Sequence, residues 1–256
     1  MNSFIGWIGG KRLLRKEILG RFPEDIGRYI EVFGGAGWVL FAKEKQAGQL
    51  EVYNDRDGNL VNLYRCIKYH CSALQEELQW LLSSREQFYD YKAQMDMRGL
   101  TDIQKAARFF YLIKISFGCD YRTFATSSKS IENAMDYLGK VQKRLQGVVI
   151  ENKDFENLIS VYDRKDALFY LDPPYVGTER YYSAAFSMKD HERLADVLKH
   201  IKGKFVLSYN NVAWIHELYS QYPCKEVTRN NTLAGNASNR ERYKEVIITN
   251  FCFVIL

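Results

Sequence analysis

The run Tyr29-Ile30-Glu31-Val32-Phe33-Gly34-Gly35-Ala36-Gly37, followed by Trp38-Val39-Leu40-Phe41-Ala42-Lys43, constrains the fold more than any other segment. Its first five residues are β-prone, the glycines make a turn, and the apolar stretch behind them reads as a helix. A second unit of the same kind follows. Leu50-Glu51-Val52-Tyr53-Asn54-Asp55 predicts a strand ending in an acid 22 positions after Phe33, with a helix through Leu60, Leu63, Tyr64 and Ile67 behind it. Repeated strand and helix of this kind builds a mostly parallel sheet. The alternation resumes at Gly147-Val148-Val149-Ile150, at Ala167-Leu168-Phe169-Tyr170-Leu171, at Phe205-Val206-Leu207-Ser208-Tyr209 and at Glu245-Val246-Ile247-Ile248. These runs lack strict apolar–polar alternation, which predicts strands covered on both faces. A helix is predicted from about Met188 to His200, with Ser187 as its N-cap.

Between Ser72 and Gln146 the pattern changes to helical periodicity rich in Gln, Glu, Lys and Tyr, broken by an irregular stretch from Gly118 to Ser130. The expected organisation is one α/β domain from residues 1–71 and 147–256, with residues 72–146 inserted as a mostly helical domain; 256 residues suffice for both. Hydrophobic residues at 46% and charged residues at 26% exclude a disordered chain. No 18 uncharged apolar residues run together, and Met1 to Trp7 lacks a charged region followed by an apolar one. The expectation is therefore no membrane span, no signal peptide and a cytoplasmic location. The five cysteines include no C-x-x-C pair, and their odd number leaves a free thiol, as suits a reducing compartment. The four histidines are scattered without metal-ligand spacing, so no metal is expected. A net charge of +5 is compatible with a polyanionic partner.

A glycine turn after the first strand lets a ligand approach the backbone closely, as any nucleotide-like cofactor requires. An acid about 20 residues further on, here Asp55, can accept hydrogen bonds from ribose hydroxyls. Phe33-Gly34-Gly35-Ala36-Gly37 departs from the dinucleotide spacing G-x-G-x-x-G by lacking the glycine that seats the helix. That favours S-adenosylmethionine, which has no pyrophosphate, over NAD.

Asp172-Pro173-Pro174-Tyr175 is more specific still. It follows a buried strand, where open α/β sheets bind their ligands. Its two prolines stiffen the loop, leaving the Asp172 carboxylate and the Pro173 carbonyl as acceptors and Tyr175 as a flat face. An exocyclic amino group on a base is a poor nucleophile because its lone pair is delocalised into the ring. Two acceptors pulling on its N–H groups favour a pyramidal nitrogen able to attack a sulfonium methyl in line. Tyr175 can stack a base rotated out of a duplex. Positioning and electrostatics then do the catalysis.

In these residues the chain resembles the Dam family of DNA adenine-N6 methyltransferases, the D12 or α-type amino-methyltransferases. The resemblance covers nearly everything but the middle. It rests on Trp7-Ile8-Gly9-Gly10-Lys11, Glu31 to Gly37, Tyr53-Asn54-Asp55, Asp154-Phe155, Asp172 to Tyr175 and Lys244-Glu245-Val246-Ile247-Ile248-Thr249-Asn250, in that order. It implies a Rossmann-like S-adenosylmethionine-dependent methyltransferase sheet with an inserted target-recognition domain. It further implies double-stranded DNA as substrate and a prokaryotic or phage setting such as restriction-modification; the oligomeric state is left open, with a monomer expected. Trp7, Lys11, Phe33, Gly35, Gly37, Asp55, Asp154, Phe155 and Asp172 would form the cofactor site, with Asp172, Pro173, Pro174 and Tyr175 catalytic. Members that methylate GATC carry a longer Asn- and Arg-rich hairpin where this chain has Ser116 to Ser130, so the target sequence is left open. Tyr121, Arg122 and Lys129 in that stretch are candidate DNA contacts. So are Arg240 and Arg242, in a polar loop expected before the last strand.

Four other readings compete. Cytosine-C5 methylation needs a nucleophilic cysteine; Pro223-Cys224 supplies the dipeptide but follows a helix, and Cys224 reads as a small apolar residue. Cytosine-N4 methylation shares the amine chemistry, though those enzymes more often carry Ser or Asn where this chain has Asp172. An NAD-dependent oxidoreductase and a catalytically silent DNA-binding protein complete the set.

Overall fold

A computed structural model describes residues 1–125, 131–177, 186–230 and 242–252. Its centre is a seven-stranded sheet in the order β3-β2-β1-β4-β5-β7-β6. The strands are β1 (Arg28–Glu31), β2 (Leu50–Asn54), β3 (Val148–Glu151), β4 (Ala167–Leu171), β5 (Lys204–Asn210), β6 (Cys224–Asn230) and β7 (Arg242–Thr249). β1 to β5 pair in parallel, while β7 runs antiparallel to both β5 and β6. This mostly parallel α/β sheet is Rossmann-like, as expected.

Both faces of the sheet are buried. Tyr29, Tyr53, Leu168, Tyr170, Val206 and Ile247 belong to one hydrophobic cluster; Ile30, Val52, Phe169, Leu171, Phe205, Leu207 and Ile248 belong to the other. Adjacent residues of a strand point to opposite faces, so continuous runs such as Ala-Leu-Phe-Tyr-Leu are what a doubly covered sheet demands.

On the second face lie α8 (Phe155–Tyr162), α9 (Met188–Lys199) and α10 (Ala213–Leu218). α9 begins as the sequence predicts, at a capping box between Ser187 and Asp190. The first face carries α1 (Arg15–Leu19), α2 (Trp38–Ala42) and α3 (Gly58–Tyr69), joined by α4 (Cys71–Gln79), α5 (Arg85–Gln94), α6 (Asp102–Ile115) and α7 (Glu132–Leu145). α6 buries nearly every apolar side chain it has, from Ala106 to Ile115. At the end of α7, Arg144 donates to both carboxylate oxygens of Glu51 on β2, at 2.6 and 2.9 Å. The helical stretch thus shares one hydrophobic cluster with the sheet.

Two expectations near the carboxyl-terminal end are corrected. Arg242 does not sit in a loop: it opens β7, where its backbone pairs with Asn230. The strand β6 was not expected, and Cys224, read as a small apolar residue, lies exposed at its start. Its residues Cys-Lys-Glu-Val-Thr-Arg-Asn include few apolar ones, as suits an edge strand that charges protect from further pairing. Among the described residues no helix is long and apolar enough to cross a membrane, and no group of His, Cys, Asp or Glu is arranged to hold a metal.

Candidate active site

The chain runs outward from β1 through β2 to β3, then crosses to β4 on the other side of β1. Beyond the carboxyl ends of β1 and β4 the connections diverge, and a crevice opens there by topology alone. A cavity of about 290 Å³ occupies it, lined by the glycine turn, Asp55, Asp172 and part of the amino-terminal segment.

The glycine turn is built for close approach. Gly35 (φ +49°) and Gly37 (φ +63°) adopt the left-handed backbone that costs other residues energy. A Cβ on Gly34 would strike the Tyr53 ring, and one on Gly35 would lie 2.9 Å from Trp7 Cδ1. The turn is also tied at both ends of one residue. The Tyr53 and Tyr64 hydroxyls donate to the Gly35 carbonyl at 2.7 and 3.2 Å, while the Gly35 N–H donates to Asp55 Oδ2 at 2.8 Å. Asp55 Oδ1 accepts the Asp57 N–H at 2.8 Å, and burial pushes the Asp55 carboxyl up to about 6. Next to it, buried Asn54 donates to the Val32 and Lys153 carbonyls at 2.9 and 3.1 Å and accepts the Lys153 N–H at 2.8 Å.

At the end of β4, the side chain of Asp172 is only 16% exposed. Lys11 Nζ lies 2.6 Å from its Oδ1, and the Ser208 hydroxyl donates to the same oxygen at 2.9 Å. Burial nevertheless raises the Asp172 carboxyl above its ordinary range, with Lys11 opposing the rise. Lys11 also donates to the Gly9 carbonyl at 3.0 Å and sits 4.7 Å from the centroid of the Tyr175 ring. The Tyr175 hydroxyl donates to Glu245, a β7 residue that is 1% exposed.

The opposite wall is aromatic. Phe33 packs 5.9 Å from Phe155 and 5.7 Å from Phe186, centroid to centroid. Asp154 caps α8 by accepting the Glu156 N–H at 3.1 Å, and Arg193 of α9 grips its two oxygens at 3.0 and 2.9 Å. The same guanidinium stacks 4.2 Å from the Phe155 ring centroid. Asp154 and Arg193 therefore lock α8 to α9.

Of the residues expected at a cofactor site, Trp7, Lys11, Phe33, Gly35, Asp55, Asp154, Phe155 and Asp172 line this one cavity. Gly37 does not; a Cβ there would meet the Tyr64 hydroxyl at 2.9 Å, so its part is in the turn. Pro174 reaches the cavity, while Pro173 is buried and Tyr175 flanks Lys11. Tyr121 lines the mouth and stacks 6.3 Å from Trp7, in a turn where Gly118, Cys119 and Tyr121 all have positive φ. Arg122 is exposed beside it. Lys129 and Arg240 fall outside the described residues, as does the side chain of Arg242. Sequence reasoning assigned no role to Glu245, Ser208, Arg193 or Phe186. Only Glu245 left a signal, a charge flush against the buried run Val-Ile-Ile.

Residues 7–233 match the sequence pattern of the D12 class N6 adenine-specific DNA methyltransferases. The chain is 27% identical to a type II methyltransferase of Lactococcus lactis subsp. cremoris, over 98% of this chain and 96% of that protein. It is 24% identical to a DNA adenine methylase of Haemophilus influenzae, over 95% of this chain and 92% of that protein. A switch-point cavity joining a glycine turn to Asp172-Pro173-Pro174-Tyr175, and a pattern match over most of the sequence, lead to one conclusion: the chain belongs to the D12 class of N6 adenine-specific DNA methyltransferases.

Proposed function

We propose that the switch-point cavity holds S-adenosylmethionine, whose use the family implies, and presents it to an adenine rotated out of double-stranded DNA. The observation that carries this reading is the buried Asp172 carboxylate, paired with Lys11 across the same cavity that the glycine turn lines. The residues present fit the cofactor. The glycine turn lines the cavity with bare backbone, Asp55 offers oxygens suited to ribose hydroxyls, and Phe33, Phe155 and Phe186 form a slot suited to an adenine ring. When bound, S-adenosylmethionine supplies a methyl group on a positively charged sulfur, which leaves as a neutral thioether.

The chain's own residues act on the target amine. Asp172 accepts one N–H of the adenine N6, the Pro173 carbonyl accepts the other, and the Tyr175 ring stacks the base. As the N–C bond forms, N6 sheds a proton that the Asp172 oxygens are placed to receive. Lys11 offsets the cost of burying the Asp172 charge. Tyr121 at the cavity wall and Arg122, Lys129, Arg240 and Arg242 beyond it contact DNA, helped by Phe117, a 68% exposed aromatic on the same turn as Tyr121. Residues 72–146 then serve as the recognition part of a monomer working in the cytoplasm.

The test is transfer of labelled methyl from S-adenosylmethionine to unmethylated genomic DNA. Asp172→Ala is expected to abolish transfer, with an unchanged circular dichroism spectrum, and digestion of wild-type product should yield N6-methyladenine. Transfer by the Asp172→Ala protein at the wild-type rate would remove the proposed mechanism. Sequencing the methylated product identifies the target site.

A further inference from the structure

Glu245 is buried deeply, and a buried carboxylate is costly unless it is paired. Two of its side-chain partners belong to the catalytic loop and the amino-terminal segment. The Tyr175 hydroxyl donates to Glu245 Oε2, and Lys11 Nζ lies 3.8 Å from the same oxygen. Lys11 Nζ in turn lies 2.6 Å from Asp172. The ammonium therefore sits between two carboxylates, with the Tyr175 ring 4.7 Å from it.

Topology explains how a residue 73 positions after Asp172 reaches the loop. β7 runs against β5, so the start of β7 lies at the edge of the sheet where the parallel strands end, and Glu245 pairs with Asn210 at the end of β5. Strand pairing also puts Glu31, Tyr170, Ser208 and Glu245 on one face of β1, β4, β5 and β7. They form a polar row under Asp172 at the edge of an otherwise apolar cluster.

We propose that Glu245 is a positioning residue for methyl transfer: it holds the Tyr175 ring and the Lys11 ammonium in register with Asp172. The inference rests on Asp172 being the acceptor for the target amine. β7 is anchored by Val246, Ile247 and Ile248 without Glu245, and the contacts that pair its buried carboxylate reach the catalytic loop and the amino-terminal segment. Without the Glu245 carboxylate, the Tyr175 hydroxyl loses a charged acceptor and Lys11 loses one of the two carboxylates it lies between.

A charge effect accompanies the positioning. Asp172 faces Lys11 from the amino-terminal segment, Glu31 from β1, Tyr170 on its own strand, Tyr175 on its loop, Ser208 from β5 and Glu245 from β7. The negative charge of Glu245 raises the proton affinity of Asp172, while Lys11 and the Ser208 hydroxyl lower it. Removing that charge should extend Asp172 ionisation to lower pH.

Glu245→Gln keeps the size and an acceptor oxygen, and Tyr175→Phe keeps the ring. With the full chain, labelled S-adenosylmethionine and excess enzyme over unmethylated genomic DNA, we expect the single-turnover rate at pH 7.5 to fall about 10- to 100-fold in Glu245→Gln. KM for S-adenosylmethionine should stay within about twofold, as fits a group acting on the transition state. The acid limb of the pH–rate profile should move down in Glu245→Gln, while Tyr175→Phe slows transfer without moving it down. A Glu245→Gln enzyme with the wild-type rate and limb overturns the inference, as does a loss seen only as a raised KM or as unfolding. Asp172→Ala separates the two readings. If it is inactive while Glu245→Gln matches wild type, only the role of Glu245 falls; if it is active, the role of Asp172 falls with it.

Discussion

Glu31 ends β1 with its carboxyl buried against the Tyr29 hydroxyl, which donates to it at 2.6 Å. Desolvation pushes this carboxyl up to about 8, so the folded protein keeps it largely protonated at neutral pH. The linkage sign follows directly. A raised carboxyl favours the folded state fully at pH values below the unfolded 4.5, and that advantage drains away as pH climbs towards 8. Glu31→Gln, neutral at every pH, should therefore gain stability relative to wild type between pH 4.5 and 8, read as denaturation midpoints. A constant difference across that range would show that folding leaves the Glu31 carboxyl at its ordinary value. Asp55 and Asp172 are shifted in the same direction by the same cause.

The elements meet through a few polar side chains at their ends, and Asn54 is one of them. From the last position of β2 it bonds the backbone after β1 and after β3, satisfying three groups that the end of the sheet would otherwise strand. Asn54→Ala should cost about 1–3 kcal/mol, because those groups lose partners in a buried site. It should also weaken S-adenosylmethionine binding by displacing Asp55; urea denaturation and calorimetric titration measure the two effects. Loss of stability with unaltered affinity would show that the turn does not depend on Asn54. Legibility differed sharply among elements. β1, β2, β4 and the glycine turn were readable because buried parallel strands are written as continuous apolar runs ending in turn residues. β6 was not, because an edge strand with few apolar side chains resembles a loop in composition.

In the whole molecule, the cavity is lined jointly by the amino-terminal segment, the ends of β1, β2 and β4, the glycine turn and α2, the turn at Cys119 and Tyr121, and the starts of α8 and α9. A ligand that binds there and not to the unfolded chain must stabilise the folded state, by about 2.7 kcal/mol at a concentration 100 times its Kd. S-adenosylmethionine should therefore raise the melting temperature of the protein by about 5–10 °C at that ratio. NAD should leave it unchanged in a parallel scan. A shift with NAD and none with S-adenosylmethionine would contradict the assignment of the cavity. Asp55→Ala should reduce the S-adenosylmethionine shift, since it removes both the proposed ribose acceptor and the anchor of the Gly35 N–H.

The sequence by itself determined the reaction class and the local elements that carry it. Asp172 to Tyr175 and Phe33 to Gly37 are short contiguous segments, and burial periodicity is a local property of the chain. It did not show that Lys11 neutralises Asp172, that Arg193 locks Asp154, or that Glu245 stands behind Tyr175. A periodic pattern says that one side of an element must be covered without saying by what. Strand order and the reversed direction of β7 are settled by how all the apolar faces pack at once, and those choices bring residues 11, 172 and 245 to one point.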